Sequence, residues 1–410
     1  MAESPLRVLI VGTSFGFPYG QGAASRVYMY AKALRSAGAE VRVVSLLTPS
    51  RNGGAAPGPV SGTYDGIPYE YACRTSVRPP TFLGRRWLTV RLALRVMSLI
   101  AGSARGAPGR CVVLIYSGAG EWIVLLTGMA RVAGAAAVLD LCEYPLVGHL
   151  RSLKGFALRE ARRAVVYPRL DGIIPISGYL DQYVATGPRP PARLLVPVMV
   201  DTDAFAPPPA AAAGGTRRVV YCGALGRHEE VDRAIRSFAA AAADLSEAVL
   251  VLVGYGPPPR EAQARALVSE LGLESRVWFA GDVKREELPA LFATAEVFVL
   301  PRPPGAFSTA GLPNKLGEYL ASGRPVVVNA NGDIPRYLHD GVSAYLVDPG
   351  DPAAFTARLR YVLEHRDEAA AVGERGREVA VREFDYRRHG ERLAGFFSSL
   401  PARRVKKAGP

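Results

Sequence analysis

The hydrophobic pattern at the start of the chain alternates between strand-length apolar runs and helical spacing. Residues 7–15 (RVLIVGTSF) form a continuous apolar run, typical of a strand covered on both faces, and residues 41–47 (VRVVSLL) form a second one. Between them, residues 25–40 carry apolar side chains at helical spacing, and Gly38 provides a helix stop. This order predicts a βαβ unit within a parallel, doubly wound α/β sheet.

The same alternation continues along the chain and is interrupted once. Further strands of the first half are predicted at 111–116, 136–141 and 171–176. Residues 206–215 (APPPAAAAGG) have no periodicity and indicate an interdomain linker. The strands predicted after this stretch, with helices between them, lie at 217–225, 248–256, 276–281, 295–301, 324–330 and 344–349.

We therefore predict two Rossmann-like domains, at residues 1–205 and 217–383, joined by a linker at 206–216. Each domain is long enough to bury a core of its own. A helix follows at 384–400, which we expect to pack back on the N-terminal domain, and a basic tail occupies 401–410.

The charge balance narrows the classes of partner. The 410 residues include 50 Lys and Arg against 37 Asp and Glu, a formal net charge of +13. Such an excess favours nucleic acid, an acidic membrane surface or a phosphorylated ligand. The basic residues are scattered along the sequence, which contains no recognised nucleic-acid-binding module. We expect no nucleic-acid partner, so phosphorylated ligands and membranes stay open.

Cysteine usage and the N-terminus predict the compartment. The chain has four cysteines, Cys73, Cys111, Cys142 and Cys222. They are far apart and show no metal-ligand spacing, so a reducing cytoplasm fits best. The N-terminal sequence offers no signal-peptide pattern, and the apolar stretch 111–130 is broken by Ser-Gly-Ala-Gly and Glu121. We interpret that stretch as a buried strand, a glycine turn and a buried helix of a soluble protein.

The segment 308–330 (STAGLPNKLGEYLASGRPVVVNA) carries the most specific chemistry. A Gly-Leu-Pro turn runs directly into a helix that contains Lys315 and Glu318, and Gly323 ends that helix. Free amides and the positive end of the dipole at a helix start favour a phosphate. A carboxylate one turn further on suits the two hydroxyls of a ribose. The alternative is an ordinary helix with both side chains on a solvated face.

Several segments together resemble one enzyme family. Residues 312–328 (LPNKLGEYLASGRPVVV) resemble the donor-binding segment of the retaining family 4 glycosyltransferases of GT-B fold. The segments similar to other parts of that family lie at 177–183, 197–207, 221–238, 253–259 and 279–301, in the family's order. The resemblance implies two Rossmann-like doubly wound domains facing a central cleft, and a nucleoside-diphosphate sugar as donor.

The resemblance implies particular donor-binding residues. Glu318 matches the second glutamate of the family's Glu-x7-Glu element, which holds the nucleotide ribose, whereas the first glutamate falls on Ala310. Loops around the nucleobase include Gly254 and Val283. The expected pyrophosphate cradle is formed by the backbone around Gly311, Leu312, Asn314 and Lys315.

A second departure from the family concerns the loop after the first strand of the C-terminal domain. Many relatives carry Arg and Lys at positions that fall here on Ala224 and Glu229. This chain has Gly226 and Arg227 instead, so Arg227 is the candidate that neutralises the leaving diphosphate through its guanidinium. The alternative is a surface arginine beside two glutamates.

Acids and aromatic residues follow the predicted strands of the N-terminal domain, where the family binds its acceptor. Such side chains suggest a small polar, cationic acceptor, and Asp140 or Glu143 would orient or deprotonate the nucleophile. The alternative is that the aromatics are core residues and the acids cap helices. The candidate acceptor-binding residues are Gly20, Gly22, Tyr116, Ser117, Trp122, Tyr144 and His149.

The segment 85–102 combines basic and apolar residues. Arg91 and Arg95 lie one helical turn apart, and apolar cover is supplied by Trp87, Leu92, Val96 and Leu99. This helix either docks on an anionic membrane, where it would give access to a lipid-linked acceptor, or is a peripheral helix with a solvated basic edge.

The prediction is a cytoplasmic, retaining, metal-independent hexosyltransferase with no cofactor beyond its nucleoside-diphosphate sugar. The acceptor is a small polar molecule of secondary metabolism or, as the alternative, a lipid-linked cell-envelope molecule reached from the inner face of the membrane. A sugar-nucleotide epimerase and a non-catalytic sugar-nucleotide-binding protein stay open as rival functions. The sequence does not predict an oligomeric state.

Overall fold

A computed structural model of the chain describes residues 5–20, 22–46, 59–73, 81–105, 110–143, 153–207, 216–225 and 230–401. The chain forms two compact units. The first combines Met1–Pro197 with Tyr386–Pro410, and the second is Val198–Asp385. Both units are α/β, with sheets that are parallel or nearly so.

The first unit is built on an eight-stranded sheet with the order β3-β4-β2-β1-β5-β6-β7-β8. Every neighbouring pair is parallel except β3 with β4. Strands β5 and β6 are buried along their whole length, as their apolar sequences predict. The strands are β1 (Arg7–Gly12), β2 (Glu40–Ser45), β3 (Ser61–Tyr64), β4 (Ile67–Tyr71), β5 (Cys111–Tyr116), β6 (Ala136–Leu141), β7 (Gly172–Pro175) and β8 (Ala192–Arg193).

Helices cover both faces of this sheet. Along the sheet, the connection from β1 to β2 runs in one direction, and the connections from β4 to β5, from β5 to β6 and from β6 to β7 run in the other. Because such crossovers are right-handed, α1 lies on one face of the sheet and α2, α3 and α4 lie on the other face. A π-helical turn, Arg162–Val166, and a 3-10 turn, Tyr167–Arg169, follow α4. The helices are α1 (Gly22–Ser36), α2 (Phe82–Arg105), α3 (Gly120–Val132), α4 (Leu153–Ala161) and α5 (Gly178–Ala185).

The second unit has a six-stranded, fully parallel sheet with the order β11-β10-β9-β12-β13-β14. Its core includes Val219, Phe238, Leu250 and Val297. The strands are β9 (Arg217–Cys222), β10 (Ala248–Val253), β11 (Val277–Gly281), β12 (Ala295–Leu300), β13 (Val326–Asn329) and β14 (Tyr345–Val347). The helices are α6 (Glu230–Ala241), α7 (Pro258–Glu270), α8 (Leu288–Ala293), α9 (Ala306–Ala310), α10 (Asn314–Ala321), α11 (Ile334–Tyr337), α12 (Pro352–Glu364) and α13 (Arg366–Val379).

The division between the units falls earlier in the chain than the boundary predicted after residue 205. Residues 198–207 belong to the second unit because backbone and side-chain bonds fix them there. The Val200 amide donates to the Phe384 carbonyl at 2.9 Å, and the Thr202 hydroxyl donates to the Asp385 carboxylate at 2.5 Å. Most of the predicted linker, residues 208–215, lies outside the described residues.

The last helix, α14 (Tyr386–Ser399), returns to the first unit and packs on α1. The contact is close, since a Cβ atom on Gly390 would lie 2.3 Å from the carbonyl oxygen of Ala33. Helix α2 differs in one respect from the sequence analysis. Leu92, Val96 and Leu99 are buried, but Trp87 lies on the solvent side of the helix and does not contribute to its buried cover.

Strand order in each unit reverses direction at one point. In the first unit the chain moves from β1 to β2 on one side and later adds β5 on the other, and in the second unit β9 separates β10 from β12 in the same way. Open α/β sheets bind ligands outside the carboxyl ends of the strands at such switch points. We therefore expect a site at the carboxyl ends of β1 and β5 in the first unit, and at the carboxyl ends of β9 and β12 in the second.

Candidate functional site

At the switch point of the second unit, an arginine lies between the ends of two neighbouring strands. Arg302 follows β12, is 4% exposed, and donates from Nη1 to the carbonyl oxygen of Gly311 at 3.2 Å. Its Nε lies 3.6 Å from Oε1 of Glu230, the first residue of α6 after β9. The guanidinium thus joins the Gly311 turn to the start of α6.

The turn at residues 311–313 leads directly into α10, as the sequence predicts. Glu318 is 4% exposed, and its Oε2 accepts from Nζ of Lys315 at 2.5 Å. Burial alone lowers the pKa of Lys315, but the Cys222 sulfur and the Glu318 carboxylate outweigh burial and raise it. The alternative of a solvated helix face is wrong, because Glu318 is an inward-facing carboxylate with a fixed partner.

Helix α10 is held rigidly against the sheet. The Tyr319 hydroxyl accepts from the Cys222 amide at 2.6 Å and donates to the Cys222 carbonyl at 3.1 Å. Its ring stacks on Phe298 of β12, with centroids 4.1 Å apart. Because Tyr319 follows Glu318 directly, these contacts fix the position of the carboxylate relative to β9 and β12.

The loops after β9, β10 and β11 approach each other through their backbones. Gly254 has φ +124°, and a Cβ atom there would lie 2.0 Å from the carbonyl oxygen of Gly223. The Gly254 amide also donates to Gly281 at 2.7 Å. Val283, two residues beyond Gly281, is half-buried. This close approach requires a glycine at position 254. Where the loops meet there, they can offer a ligand only backbone groups.

Three residues of this region, Tyr221, Glu230 and Arg302, are not among the site residues predicted from the sequence. Tyr221 on β9 donates from its hydroxyl to Oε2 of Glu230 at 3.3 Å, so Glu230 links Tyr221 to Arg302. Burial raises the pKa of Glu230, and Arg302 offsets part of that shift. Arg302 directly follows the predicted strand 295–301, and that position was the available signal. The predicted site residues Gly226 and Arg227 lie outside the described residues.

In the first unit, the structure corrects the role predicted for Asp140. Its carboxylate accepts from Nε and Nη2 of Arg26 at 2.9 and 2.8 Å and from the Tyr30 hydroxyl at 2.7 Å. The side chains of this ion pair are 0–1% exposed. Burial alone lowers the pKa of Arg26, but Asp140 and Tyr30 together outweigh burial and raise it. Asp140 is therefore an internal counterion that joins β6 to α1, and it does not reach an acceptor.

Tyr116 and Ser117 lie at the switch point of the first unit, at the end of β5. Tyr116 is a core residue, since it is buried, packs edge-on against Phe15 and accepts a hydrogen bond from the Cys142 thiol at 3.2 Å. Ser117 lies 2.7 Å from the hydroxyl of Thr13, which follows β1. Thr13 falls inside the strand predicted at 7–15, whereas β1 ends at Gly12, so the sequence pattern does not reveal this pair of hydroxyls.

The other acceptor candidates are only partly described. Glu143 is exposed two residues after β6, Trp122 is half-buried in the first turn of α3, and Gly22 begins α1 after the exposed Gly20. Tyr144 and His149 lie outside the described residues. In the part of the chain that the structure describes, no group of three or more His, Cys, Asp or Glu side chains is arranged to hold a metal ion.

Comparison with known proteins assigns the chain to a family. The family model for glycosyl transferases group 1 matches residues 216–365. The chain is 33% identical over 295 residues to the GDP-mannose-dependent alpha-(1-6)-phosphatidylinositol monomannoside mannosyltransferase of Mycolicibacterium smegmatis, covering 69% of this chain and 76% of that protein. It is 28% identical over 166 residues to the D-inositol 3-phosphate glycosyltransferase of Corynebacterium urealyticum, covering 40% of this chain and 37% of that protein.

A solved structure with the same fold is that of Anabaena HepE in complex with UDP and glucose. The TM-score is 0.72 at 18% identity, and the superposition covers 96% of this chain and all of that one. The likeness is to a GT-B fold, which agrees with the two α/β units described above.

Proposed function

Because the chain belongs to the group 1 glycosyltransferases, it transfers a sugar from a nucleotide donor, and we propose that its acceptor is a phosphorylated polyol carried on a lipid. The observation that carries this proposal is the extent of the similarity to the phosphatidylinositol monomannoside mannosyltransferase. Its 295 aligned residues are more than the second unit, 198–385, contains, so the similarity extends into the first unit.

The electrostatics of the first unit weaken the argument for the cationic acceptor predicted from the sequence. Asp140, one of the two acids behind that prediction, has its charge balanced internally by Arg26. A second relative is named for an inositol phosphate, which shares the phosphorylated polyol with the first. Glu143 is the acid left to interact with an acceptor nucleophile, and its role as a base stays a prediction.

For the donor, we infer that the Gly311 turn holds the diphosphate and that Glu318 accepts from the ribose hydroxyls. Glu318 is buried and fixed next to the switch point, Lys315 supplies positive charge beside it, and Arg302 supplies positive charge beside the Gly311 turn. GDP-mannose is the first donor to test, since the relative with the longest similarity given above is named for it. The role of Arg227 as the cation at the leaving diphosphate stays a prediction.

The chemistry we propose is transfer with retention of configuration and without a metal. In such a reaction the departing diphosphate is stabilised by fixed positive charge and amide donors, and no protein nucleophile is required. Proton NMR of the product would report the anomeric configuration. A chelator should leave the initial rate unchanged if no metal takes part.

The test is product analysis by mass spectrometry with the purified full chain. GDP-mannose and UDP-glucose are each offered with phosphatidylinositol, with free inositol, and with a cationic aminocyclitol. We expect a hexosylated product with the phosphorylated lipid only. Product with the aminocyclitol alone would contradict the proposed acceptor class. An epimerised nucleotide sugar formed without acceptor would indicate an epimerase, and nucleotide binding without any product would indicate a binding protein.

A further inference from the structure

The solvent side of α2 carries three large apolar side chains between residues 87 and 94, beside the exposed Thr89 and Arg91. Trp87, Val90 and Leu94 are 63%, 48% and 67% exposed, and their spacing places them on one stripe of the helix. The opposite side of α2, which includes Val96 and Ile100, is fully buried against the first unit. Large apolar side chains on the outside of a helix whose core side is already satisfied need another partner.

The neighbouring helix repeats this arrangement. Helix α3 packs beside α2 on the same face of the sheet, and it exposes Val124, Leu125 and Val132 while Ile123 and Leu126 are buried. We call the six exposed apolar side chains of these two neighbouring helices the apolar face. Its members are Trp87, Val90, Leu94, Val124, Leu125 and Val132.

Positive charge accompanies the apolar face. Helix α2 contains five arginines and no acidic residue. Arg91 is exposed beside Val90, whereas Arg95 turns inward to Glu70 of β4, with Nη2 and Oε2 3.0 Å apart. A protein partner of ordinary composition has no special need for this charge, but an anionic lipid surface attracts each such residue by about 1 kcal/mol.

Helix α2 is also long and apolar enough to cross a membrane by length and composition, over Trp87–Arg105. Its buried side and the ion pair of Arg95 with Glu70 bind it to the sheet, so it lies along the surface of the unit. A helix with one buried side, one apolar exposed side and basic flanks is suited to an interfacial position. Tryptophan is enriched at that depth of a bilayer.

We propose that the apolar face rests in the headgroup region of an anionic phospholipid bilayer, with Trp87 and Leu94 as its main anchors and Arg91 at the lipid phosphates. The proposal does not rest on the donor site or on the identity of the acceptor. It adds the surface through which the enzyme would reach a substrate carried on a lipid.

The test is cosedimentation of the full chain, without substrates, with vesicles of phosphatidylcholine or of phosphatidylcholine and phosphatidylglycerol. We expect binding to the mixed vesicles and little binding to phosphatidylcholine alone. The double variant Trp87→Ser/Leu94→Glu should bind the mixed vesicles at least about tenfold more weakly for each side chain changed. The matched control Trp278→Ser/Val342→Glu removes exposed apolar side chains from the second unit and should bind like the wild type.

A conservative variant guards against misfolding. Trp87→Phe keeps the fold, and quenching of tryptophan fluorescence by brominated lipid should fall strongly in it relative to the wild type. Unchanged quenching in Trp87→Phe, equal binding of the Trp87/Leu94 variant, or no binding of the wild type to mixed vesicles would each overturn the proposal. Loss of a dimer in that double variant, without vesicle binding by the wild type, would assign the apolar face to a second copy of the chain and would likewise overturn it.

Discussion

At the scale of single residues, the donor region depends on two ion pairs with different degrees of burial. Lys315 pairs with Glu318 and holds its carboxylate in one orientation. Arg302 and Glu230 form the second pair, in which Arg302 also donates to the Gly311 carbonyl. In the Lys315–Glu318 pair, the side chains themselves would contact the nucleotide. In the Arg302–Glu230 pair, Arg302 positions the Gly311 backbone that would contact the nucleotide.

Glu318→Gln should weaken nucleotide binding without unfolding the protein. The substitution keeps the shape of the side chain but removes the charge that strengthens its bonds to ribose hydroxyls, which is about 1.5–3 kcal/mol for charge-assisted bonds. The dissociation constant for GDP or UDP, measured by calorimetry, should rise roughly 10- to 100-fold. Glu261→Gln, on the exposed pair with Arg265, is the control and should bind normally. Equal affinity in the Glu318 variant would exclude it from the donor site.

Arg302→Met should destabilise the protein in a pH-dependent way. Removing the guanidinium leaves Glu230 largely buried without its cation, a loss of roughly 3–5 kcal/mol for a fully buried pair, and less here because the Arg302–Glu230 distance is 3.6 Å. Burial already raises the pKa of Glu230, and loss of Arg302 should raise it further. The unfolded chain then ionises this acid more readily than the native one, so stability falls as pH rises through the native pKa.

Urea denaturation of this variant at acidic and neutral pH provides the measurement. The difference in the free energy of unfolding between the variant and the wild type should be largest near neutral pH. It should shrink at acidic pH, because a protonated Glu230 needs no cation. Adding Glu230→Gln to Arg302→Met should remove the pH dependence of the difference. A constant difference at all pH values would show that Glu230 is not the group responsible.

At the scale of elements, α14 packs on α1 in the first unit, and the two helices approach closely at Gly390. Gly390→Ala should therefore destabilise the protein by about 1–3 kcal/mol, because the new methyl group meets the Ala33 carbonyl, a backbone atom that cannot rotate away. Gly395→Ala in the same helix is the matched control. It has open space around it and should stabilise the protein by about 0.5–1 kcal/mol. Equal effects of the two substitutions on the melting temperature would contradict this account.

The same elements indicate what can be predicted from the sequence. Strands β5 and β6 were predicted to the residue, because a buried parallel strand is a short apolar run with clear breaks. The Gly311 turn and the start of α10 were also predicted, since both are local features. The end of the first unit at Pro197 was not, because its determinant is a bond from Val200 to Phe384, far away in the sequence.

Site residues follow the same rule. Asp140 follows a predicted pattern of acids at strand ends, but its actual role depends on Arg26, more than a hundred residues earlier. Arg302 matters because β12 lies next to β9, and no local pattern reveals that order of strands. Spacing along the sequence therefore identified the inward carboxylate of Glu318, whereas the partners that neutralise charge emerged only from the fold.

At the scale of the whole molecule, the chain passes from the first unit to the second after Pro197 and back again before Tyr386. Each unit has its own sheet, which is parallel in the second unit and parallel except for β3 and β4 in the first, and all the proposed donor contacts belong to the second unit. The α14–α1 contact belongs to the first. Changes at the donor contacts should consequently alter the unfolding of the second unit, and changes at the α14–α1 contact should alter the unfolding of the first.

Differential scanning calorimetry of the full chain should resolve this as two transitions. A nucleotide at about a hundred times its dissociation constant should stabilise the second unit by about 2.7 kcal/mol and raise one transition, because it binds the native unit only. Gly390→Ala should lower the other transition and leave the nucleotide-induced shift intact. In Glu318→Gln the stabilisation at the same nucleotide concentration should shrink from about 2.7 to about 0.4–1.4 kcal/mol, because the dissociation constant is roughly 10- to 100-fold higher, while the second transition without nucleotide stays in place. A single transition that moves with both changes would mean that the units unfold together and that their stabilities cannot be assigned separately.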